Sequence, residues 1–201
     1  MSPQSTIIGA IILAAGESSR FGQPKQLVQF EGKSLVRRVV EAASDANCSP
    51  VIVVTGNAEA EVQRDLHGTN PILVENTQWK AGIGTSIHAG IRHLIDNAPN
   101  VDAALLLVCD QPFVDVDVLS GLIALHSKTG KPIVASGYAD TLGVPALFHH
   151  SIFPELLRLS GDTGAKPIIL CSPERVVELP FPKGEIDIDE MEDLQSVIRK
   201  R

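Results

Sequence analysis

Short runs of aliphatic residues recur along the chain, separated by longer segments in which apolar positions fall at helical spacing. Ile7–Ala15, Val51–Thr55, Ile72–Val74, Ala103–Val108 and Pro132–Ala135 are rich in branched or aliphatic side chains. Continuous apolarity of this kind predicts strands covered on both faces, as in a parallel sheet. Between the first two runs, Leu35, Val36, Val39, Val40 and Ala43 share one helical face, and Ser34 is placed to cap that helix. The alternation predicts an α/β fold with a Rossmann-like, doubly wound, mostly parallel sheet. Past Gly137 the rhythm weakens. Thr141–Phe148 and Arg175–Leu179 read as further strands, Ser151–Leu159 and Thr163–Leu170 as helices, and the acidic segment Glu185–Asp193 follows.

No Pro/Gly-rich linker, internal repeat or low-complexity tract divides the 201 residues, so residues 1–201 are expected to form a single domain. Apolar content is 44%, yet no run approaches the ~20 residues that span a bilayer, which predicts a soluble protein with no membrane partner. Met1–Thr6 carry no basic cluster, and the run from Ile7 to Ala15 leads into Gly-Glu rather than an export-cleavage context; a cytoplasmic location is expected. A net charge of −7 argues against nucleic acid as a partner, because such binding needs clustered cations, so any phosphate site must be local. Cys48, Cys109 and Cys171 are odd in number and widely spaced, which predicts reduced, buried thiols rather than a disulfide framework or a zinc ribbon.

The stretch Leu13-Ala14-Ala15-Gly16-Glu17-Ser18-Ser19-Arg20-Phe21-Gly22-Gln23-Pro24-Lys25 runs from a strand into a glycine-bearing loop with two cations. Gly16 and Gly22 let backbone N–H groups approach an anion, and Arg20 and Lys25 add full charges, a combination suited to a polyphosphate. It is not a P-loop: five residues separate the glycines and no Gly-Lys-[Ser/Thr] follows. The dinucleotide fingerprint is absent too, since Gly82-Ile83-Gly84 lacks its third glycine.

Asp110 directly follows the apolar run Ala103–Val108, which places it at the carboxyl end of a strand, where open sheets bind ligands. There it could hold Mg²⁺ with substrate phosphates, cap the helix near Asp115–His126, or start a turn with Pro112. Asp187 and Asp189 share one face if their segment is extended, or else belong to an acidic first helical turn. Asn76–Gly90 joins a strand to a helix through two glycines and two hydroxyls, a loop able to meet a base or ribose. Trp79 there is equally a packed aromatic, and Ser86 equally an ordinary first-turn residue. His149 and His150 read as a packing pair, with no metal-ligand spacing.

The Leu13–Lys25 stretch resembles the signature of the MobA-like nucleotidyltransferases, and Leu-Ala-Ala-Gly followed by Pro-Lys-Gln-Leu is most similar to the molybdenum cofactor cytidylyltransferases. The resemblance extends to the acidic terminal motif. It implies a fold of the nucleotide-diphospho-sugar transferase type and a Mg²⁺-dependent reaction in which CTP and a molybdopterin-type acceptor give the cytosine dinucleotide and pyrophosphate. By the same resemblance Leu13, Ala14, Ala15, Gly16, Ser18, Arg20, Lys25, Gly82 and Ser86 bind the nucleotide. Lys25, Arg20 and Asp110 are the implied catalytic set, Asp110 and Asp189 the metal ligands, and Asp162 and Lys166 acceptor contacts. Two departures stand out: Lys166 replaces the usual Arg, which trades a bidentate phosphate contact for a point charge, and Glu190-Met191 replaces Thr-Pro. A GTP-using guanylyltransferase, a sugar- or isoprenoid-phosphate cytidylyltransferase, and a non-catalytic purine-catabolism factor that matures a molybdenum hydroxylase are the alternatives.

Overall fold

A computed structural model of the protein describes residues 6–16 and 23–199. In chain order the elements are β1 (Ile8–Ala14), the two-residue strands β2 (Gln29–Phe30) and β3 (Lys33–Ser34), α1 (Leu35–Asp45), β4 (Val51–Thr55), α2 (Glu59–Asp65), β5 (Ile72–Glu75), α3 (Ile83–Asn97), β6 (Ala103–Val108), α4 (Val116–Thr129), β7 (Ile133–Tyr138), β8 (Thr141–His149), α5 (Phe153–Leu156), α6 (Lys166–Cys171), β9 (Val176–Pro180) and α7 (Met191–Arg199). A seven-stranded sheet has the order β5-β4-β1-β6-β8-β7-β9, and β2 pairs with β3 in a small separate ribbon. Every pairing in the large sheet is parallel except those of β8, which runs antiparallel to β6 and β7. The mostly parallel, doubly wound sheet expected from the aliphatic runs is therefore present.

Its two cores follow from the period-two alternation of strand side chains. Ala10 and Ile12 of β1, Val51 and Val53 of β4 and Leu105 and Leu107 of β6 face Val36, Val39 and Val40 of α1, Val62 of α2 and Leu119 and Leu122 of α4. The intervening residues Ile11, Leu13, Ile52, Val54, Ala104 and Leu106 face Ile87, Ile91 and Leu94 of α3, Phe153 and Leu156 of α5 and Ile169 of α6. Caps set the helix starts: the Ser34 side chain accepts from the Arg37 N–H, and that of Asp115 accepts from the Val118 N–H. Asp115, not Asp110, caps α4.

Three expectations are corrected. β5 lies at the sheet edge, and Ile72 is exposed rather than covered on both faces. The expected Ser151–Leu159 helix is a 3-10 turn at His150–Ile152 followed by the single turn of α5. The Thr163–Leu170 helix starts only at Lys166, with no side-chain cap, so Asp162 does not cap it.

β7 and β8 meet at Tyr138 and Thr141 across a two-residue turn. Ala139 (φ 48°) and Asp140 (φ 55°) are both left-handed, the geometry of a type I′ turn that favours Asn-Gly, and at Ala139 the Cβ is strained. Replacing the pair by Ala139→Asn and Asp140→Gly is expected to stabilise the protein by about 1 kcal/mol and raise Tm by ~2–4 °C. An unchanged or lower melting temperature would contradict this turn geometry.

Candidate functional site

β1 leads through α1 to β4 on one side of it, whereas α3 carries the chain from β5 back across to β6 on the other. The switch point of the sheet thus falls between the carboxyl ends of β1 and β6, where side connections diverge and leave a crevice. A cleft of about 360 Å³ opens there. Leu13, Ala15 and Gly16 line it from β1, Val108, Cys109 and Asp110 from β6, and Lys25 and Gln26 from the turn before β2. Trp79, Lys80, Gly82, Ile83 and Ser86 close another wall, and Asp162 the last. A larger cavity of about 880 Å³ lies at the opposite end of the sheet around Ile7, Asp102 and His150. Its lining includes no Lys or Arg, so it is poorly suited to a polyphosphate.

The charged end of the cleft is built from three distant parts of the chain. The Lys25 ammonium donates to Asp110 Oδ2 at 2.9 Å and to Asp189 Oδ1 at 2.5 Å. Burial pushes the Lys25 pKa down, but the neighbouring Asp110 charge and hydrogen bonds to both carboxylates more than offset it, and the net shift is upward. Asp187 completes the cluster. Partial burial, with the like charges of Asp110 and Asp189 close by, lifts its pKa to about 6 against the weaker pull of Lys25.

The acidic segment is held here by its apolar residues. Ile188, fully buried, packs with Val28, Phe30, Leu35, Leu194 and Val197 in a third core. Its N–H donates to the Asp110 carbonyl at 2.9 Å, so Asp187 and Asp189 flank an anchored residue beside Asp110. Asp193 in the first turn of α7 accepts from the N–H groups of Asp189 and Glu190 at 2.9 and 2.8 Å, a capping-box arrangement that fixes the backbone carrying Asp189. Buried Gln111 donates to the carbonyls of Gly184 and Val144 at 2.7 and 3.2 Å, tying the end of β6 to the same segment and to β8.

The opposite wall depends on two glycines. Gly82 has φ 106°, and a Cβ there would collide with the Gly161 carbonyl. A Cβ on Gly84 would lie 2.7–2.8 Å from the Ser160 backbone, and the Gly84 N–H donates to the Gly161 carbonyl at 2.9 Å. The Ser160–Asp162 loop therefore sits directly on the start of α3, which is how Asp162 reaches the cleft. A Cβ on Gly16, by contrast, would meet nothing within 4 Å among the described residues.

Of the nucleotide and metal residues expected from the sequence, Leu13, Ala15, Gly16, Lys25, Gly82, Ser86 and Asp110 converge on this cleft, with Asp189 joined through Lys25. Ala14 does not: alternation turns its side chain into the core against α1. Ser18 and Arg20 lie outside the described residues. Lys166 is exposed at the start of α6 and does not line the cleft. His149 and His150 pack ring to ring at 4.0 Å, and His150 bonds to the Asp102 carbonyl at the far end of the sheet. Gln26, Lys80 and buried Asn76 went unnoticed as individual site residues. Only the position of Asn76 directly after a strand could have marked it.

Among the described residues no group of three or more His, Cys, Asp or Glu is arranged to hold a metal unaided. The donors that do meet are hard carboxylate oxygens around a cation, which suits Mg²⁺ or Mn²⁺ bound by one or two aspartates together with substrate phosphates. No helix among the described residues is long and apolar enough to cross a membrane.

The MobA-like NTP transferase domain matches residues 10–176, and the chain belongs to that family. The acidic segment that carries Asp187 and Asp189 follows the matched residues. The chain is 27% identical to nicotine blue oxidoreductase of Paenarthrobacter nicotinovorans, covering 95% of this chain and 96% of that protein. It is 26% identical to the purine catabolism protein PucB of Bacillus subtilis, covering 83% and 82%. It spans about a quarter of the length of the bifunctional protein GlmU of Francisella philomiragia, with which it shares 32% identity over 118 residues, 58% of this chain. Among solved structures, Rv0371c of Mycobacterium tuberculosis superposes with a TM-score of 0.79 at 27% identity, covering 97% and 99% of the two chains, and a manganese complex of that protein superposes at 0.77.

Cys109 borders the cleft, but burial and the Asp110 charge push its thiol up to about 12, with Lys25 acting weakly the other way, and burial alone does the same to Cys48. Neither can serve as a nucleophile at neutral pH. Cys171 is exposed, contrary to the expectation that all three are buried. A thiol reagent applied to the native protein is expected to label one cysteine, Cys171, and all three after denaturation; rapid native labelling of Cys109 would overturn its assignment as inert. Gly82→Ala is expected to destabilise by about 2 kcal/mol or more, lowering Tm by ~4–8 °C, since it adds both a strained φ and a backbone collision. A wild-type melting curve would show that the Ser160–Asp162 loop can yield.

Proposed function

We propose that this protein is a divalent-metal-dependent cytidylyltransferase that transfers CMP from CTP to a phosphate-bearing, molybdopterin-type acceptor and releases pyrophosphate, acting in the cytoplasm as one domain of residues 1–201. The observation that carries the reading is the Lys25 ammonium held between Asp110 and Asp189 at the sheet's switch point, with Asp187 alongside. Two carboxylates paired with one ammonium leave excess negative charge, which a polyphosphate would aggravate unless a metal enters with it. Membership of the NTP transferase family supports the reaction class. The manganese complex of a structural relative supports a divalent ion.

In this reading an acceptor phosphate oxygen bonds to the α-phosphorus of CTP. The bond from that phosphorus to the oxygen bridging the β-phosphate breaks, and pyrophosphate leaves with the electron pair. No protein nucleophile is needed, in keeping with the inert Cys109. Asp110 and Asp189 would hold Mg²⁺, which supplies charge neutralisation on the phosphate oxygens when bound. Lys25, released from one of its carboxylates, adds a second positive charge at the α-phosphate, and Arg20 steadies the outgoing phosphates. Leu13, Ala15 and Gly16 leave room for the triphosphate along the end of β1, and Gly82 and Ser86 meet the base. Asp162 belongs to the acceptor wall, and the exposed position of Lys166 removes it from direct contact in this conformation.

A second reading draws on a likeness that covers 83% of this chain. One relative carries a purine-catabolism name, which fits a factor that binds nucleotide or cofactor and matures a molybdenum hydroxylase without transferring a nucleotide. The two readings, and a GTP-using enzyme, separate in a single assay. With Mg²⁺ and a molybdopterin-type acceptor, pyrophosphate release is expected with CTP and not with GTP; release with GTP alone reassigns the base, and none with either favours the maturation factor. Asp110→Asn is expected to lower turnover by ~10²-fold or more while leaving the melting temperature near wild type, because it removes charge at a rim rather than volume from a core. Full activity in that variant would remove Asp110 from the metal site.

A further inference from the structure

The wall of the cleft that holds Ser86 carries a hydrogen-bond chain whose direction can be assigned atom by atom. Asn76 is buried at the end of β5, and its Oδ1 accepts from the Gln78 backbone N–H at 2.9 Å. A backbone N–H can only donate, so this contact fixes which end of the amide is oxygen. The Nδ2 group must then donate its two protons to the hydroxyls of Thr85, at 2.8 Å, and Ser86, at 3.0 Å. Thr85 donates its one proton toward the Gly82 carbonyl at 2.8 Å, with the Gln78 carbonyl also in reach at 3.1 Å. Ser86 does not: its residue is buried, lines the cleft, and among the described residues its hydroxyl meets no acceptor.

We infer that Asn76 is a positioning residue that makes the Ser86 hydroxyl a hydrogen-bond donor toward the cleft, and so selects a base that presents an acceptor there. The inference rests on the reading of this cleft as a nucleoside triphosphate site. By accepting from Asn76, the Ser86 oxygen leaves its proton as the group a ligand must match. A ligand acceptor takes that proton, whereas a ligand N–H would leave it buried and unmatched, a penalty on the order of tenfold or more in affinity. Cytosine and uracil differ at ring position 3, a lone pair against an N–H, and at position 4, an amino group against a carbonyl. With the Ser86 proton meeting position 3, the Asn76–Ser86 pair favours cytosine.

The variant Asn76→Asp tests this with almost no change in shape. An aspartate keeps the acceptor for the Gln78 N–H but replaces the donating amide by a second acceptor oxygen, which draws the Ser86 proton to itself and leaves only lone pairs facing the cleft. Binding of CTP and of UTP is measured by calorimetry, and by the fluorescence of Trp79, the single tryptophan, which lines the same cleft. Wild type is expected to bind CTP at least tenfold more tightly than UTP. In Asn76→Asp the ratio is expected to fall to about one or to invert; the added charge weakens both nucleotides alike and cancels in the ratio. Ser86→Ala, which removes the hydroxyl, is expected to lose the discrimination as well, and it stands in should Asn76→Asp melt well below wild type. A ratio that survives in both variants overturns the role of Asn76 while leaving the nucleotide site intact. A wild type that binds neither nucleotide overturns the reading of the cleft itself, and one that binds both equally overturns the selection.

Discussion

The Lys25 ammonium between Asp110 and Asp189 is the contact on which the site depends, because it joins a loop, a strand end and a terminal segment that local structure alone would not bring together. Ion pairs of this kind are weak organisers when exposed, and Asp189 is well exposed here. The stabilising work falls instead to groups beside the charges. Ile188 buries its whole side chain, its N–H holds the Asp110 carbonyl, and Asp193 ties down the backbone at Asp189 and Glu190. Apolar burial and backbone hydrogen bonds thus hold three carboxylates in a proximity their charges oppose. The pKa of Asp187 is raised by burial first and by the like charges of Asp110 and Asp189 second.

The sheet supplies the frame. Its parallel order sends β1 and β6 to the same rim, and the reversal between them leaves a crevice that no crossover fills. One wall of the crevice is α3, and the loop that closes it can approach only because Gly82 and Gly84 carry no Cβ. The glycines that look like ligand contacts in the sequence are first of all packing contacts between two stretches of backbone. That packing brings Asp162 to the cleft, which Gly82 itself also lines.

Much of this was legible in the chain. Val51–Thr55 and Ala103–Val108 are strands to the residue, since doubly covered strands write an unbroken aliphatic run, and Ser34 announces α1 as its cap. The edge strand was misjudged for the same reason: Ile72–Val74 carries an aliphatic run without the cover that usually explains one. Past Gly137, short helices and a hairpin with non-glycine left-handed residues leave little periodicity to find. Asp110 was visible from its place after a strand. Asn76 was not, because its importance lies in which way its amide points, and that is decided by the Gln78 N–H and two hydroxyls at the start of α3.

The two ends of the cleft work by different physics. At the charged end, carboxylates and an ammonium interact over distance with little regard for direction, so they can favour any triphosphate that arrives with a cation. On the wall that holds Ser86, the side chains of Asn76, Thr85 and Ser86 are neutral, and two of the three are buried, so among them the direction of each hydrogen bond decides what fits. Long-range charge gives affinity without reading a base, while short directional bonds read a base and add little affinity in water. Under the proposed reading, separating them along one cleft leaves the phosphate chemistry to the charged groups and the choice of base to a few buried protons. Under the proposed reading a change at Asn76 would act on selection and a change at Asp110 on the reaction, although both residues would serve the same bound molecule.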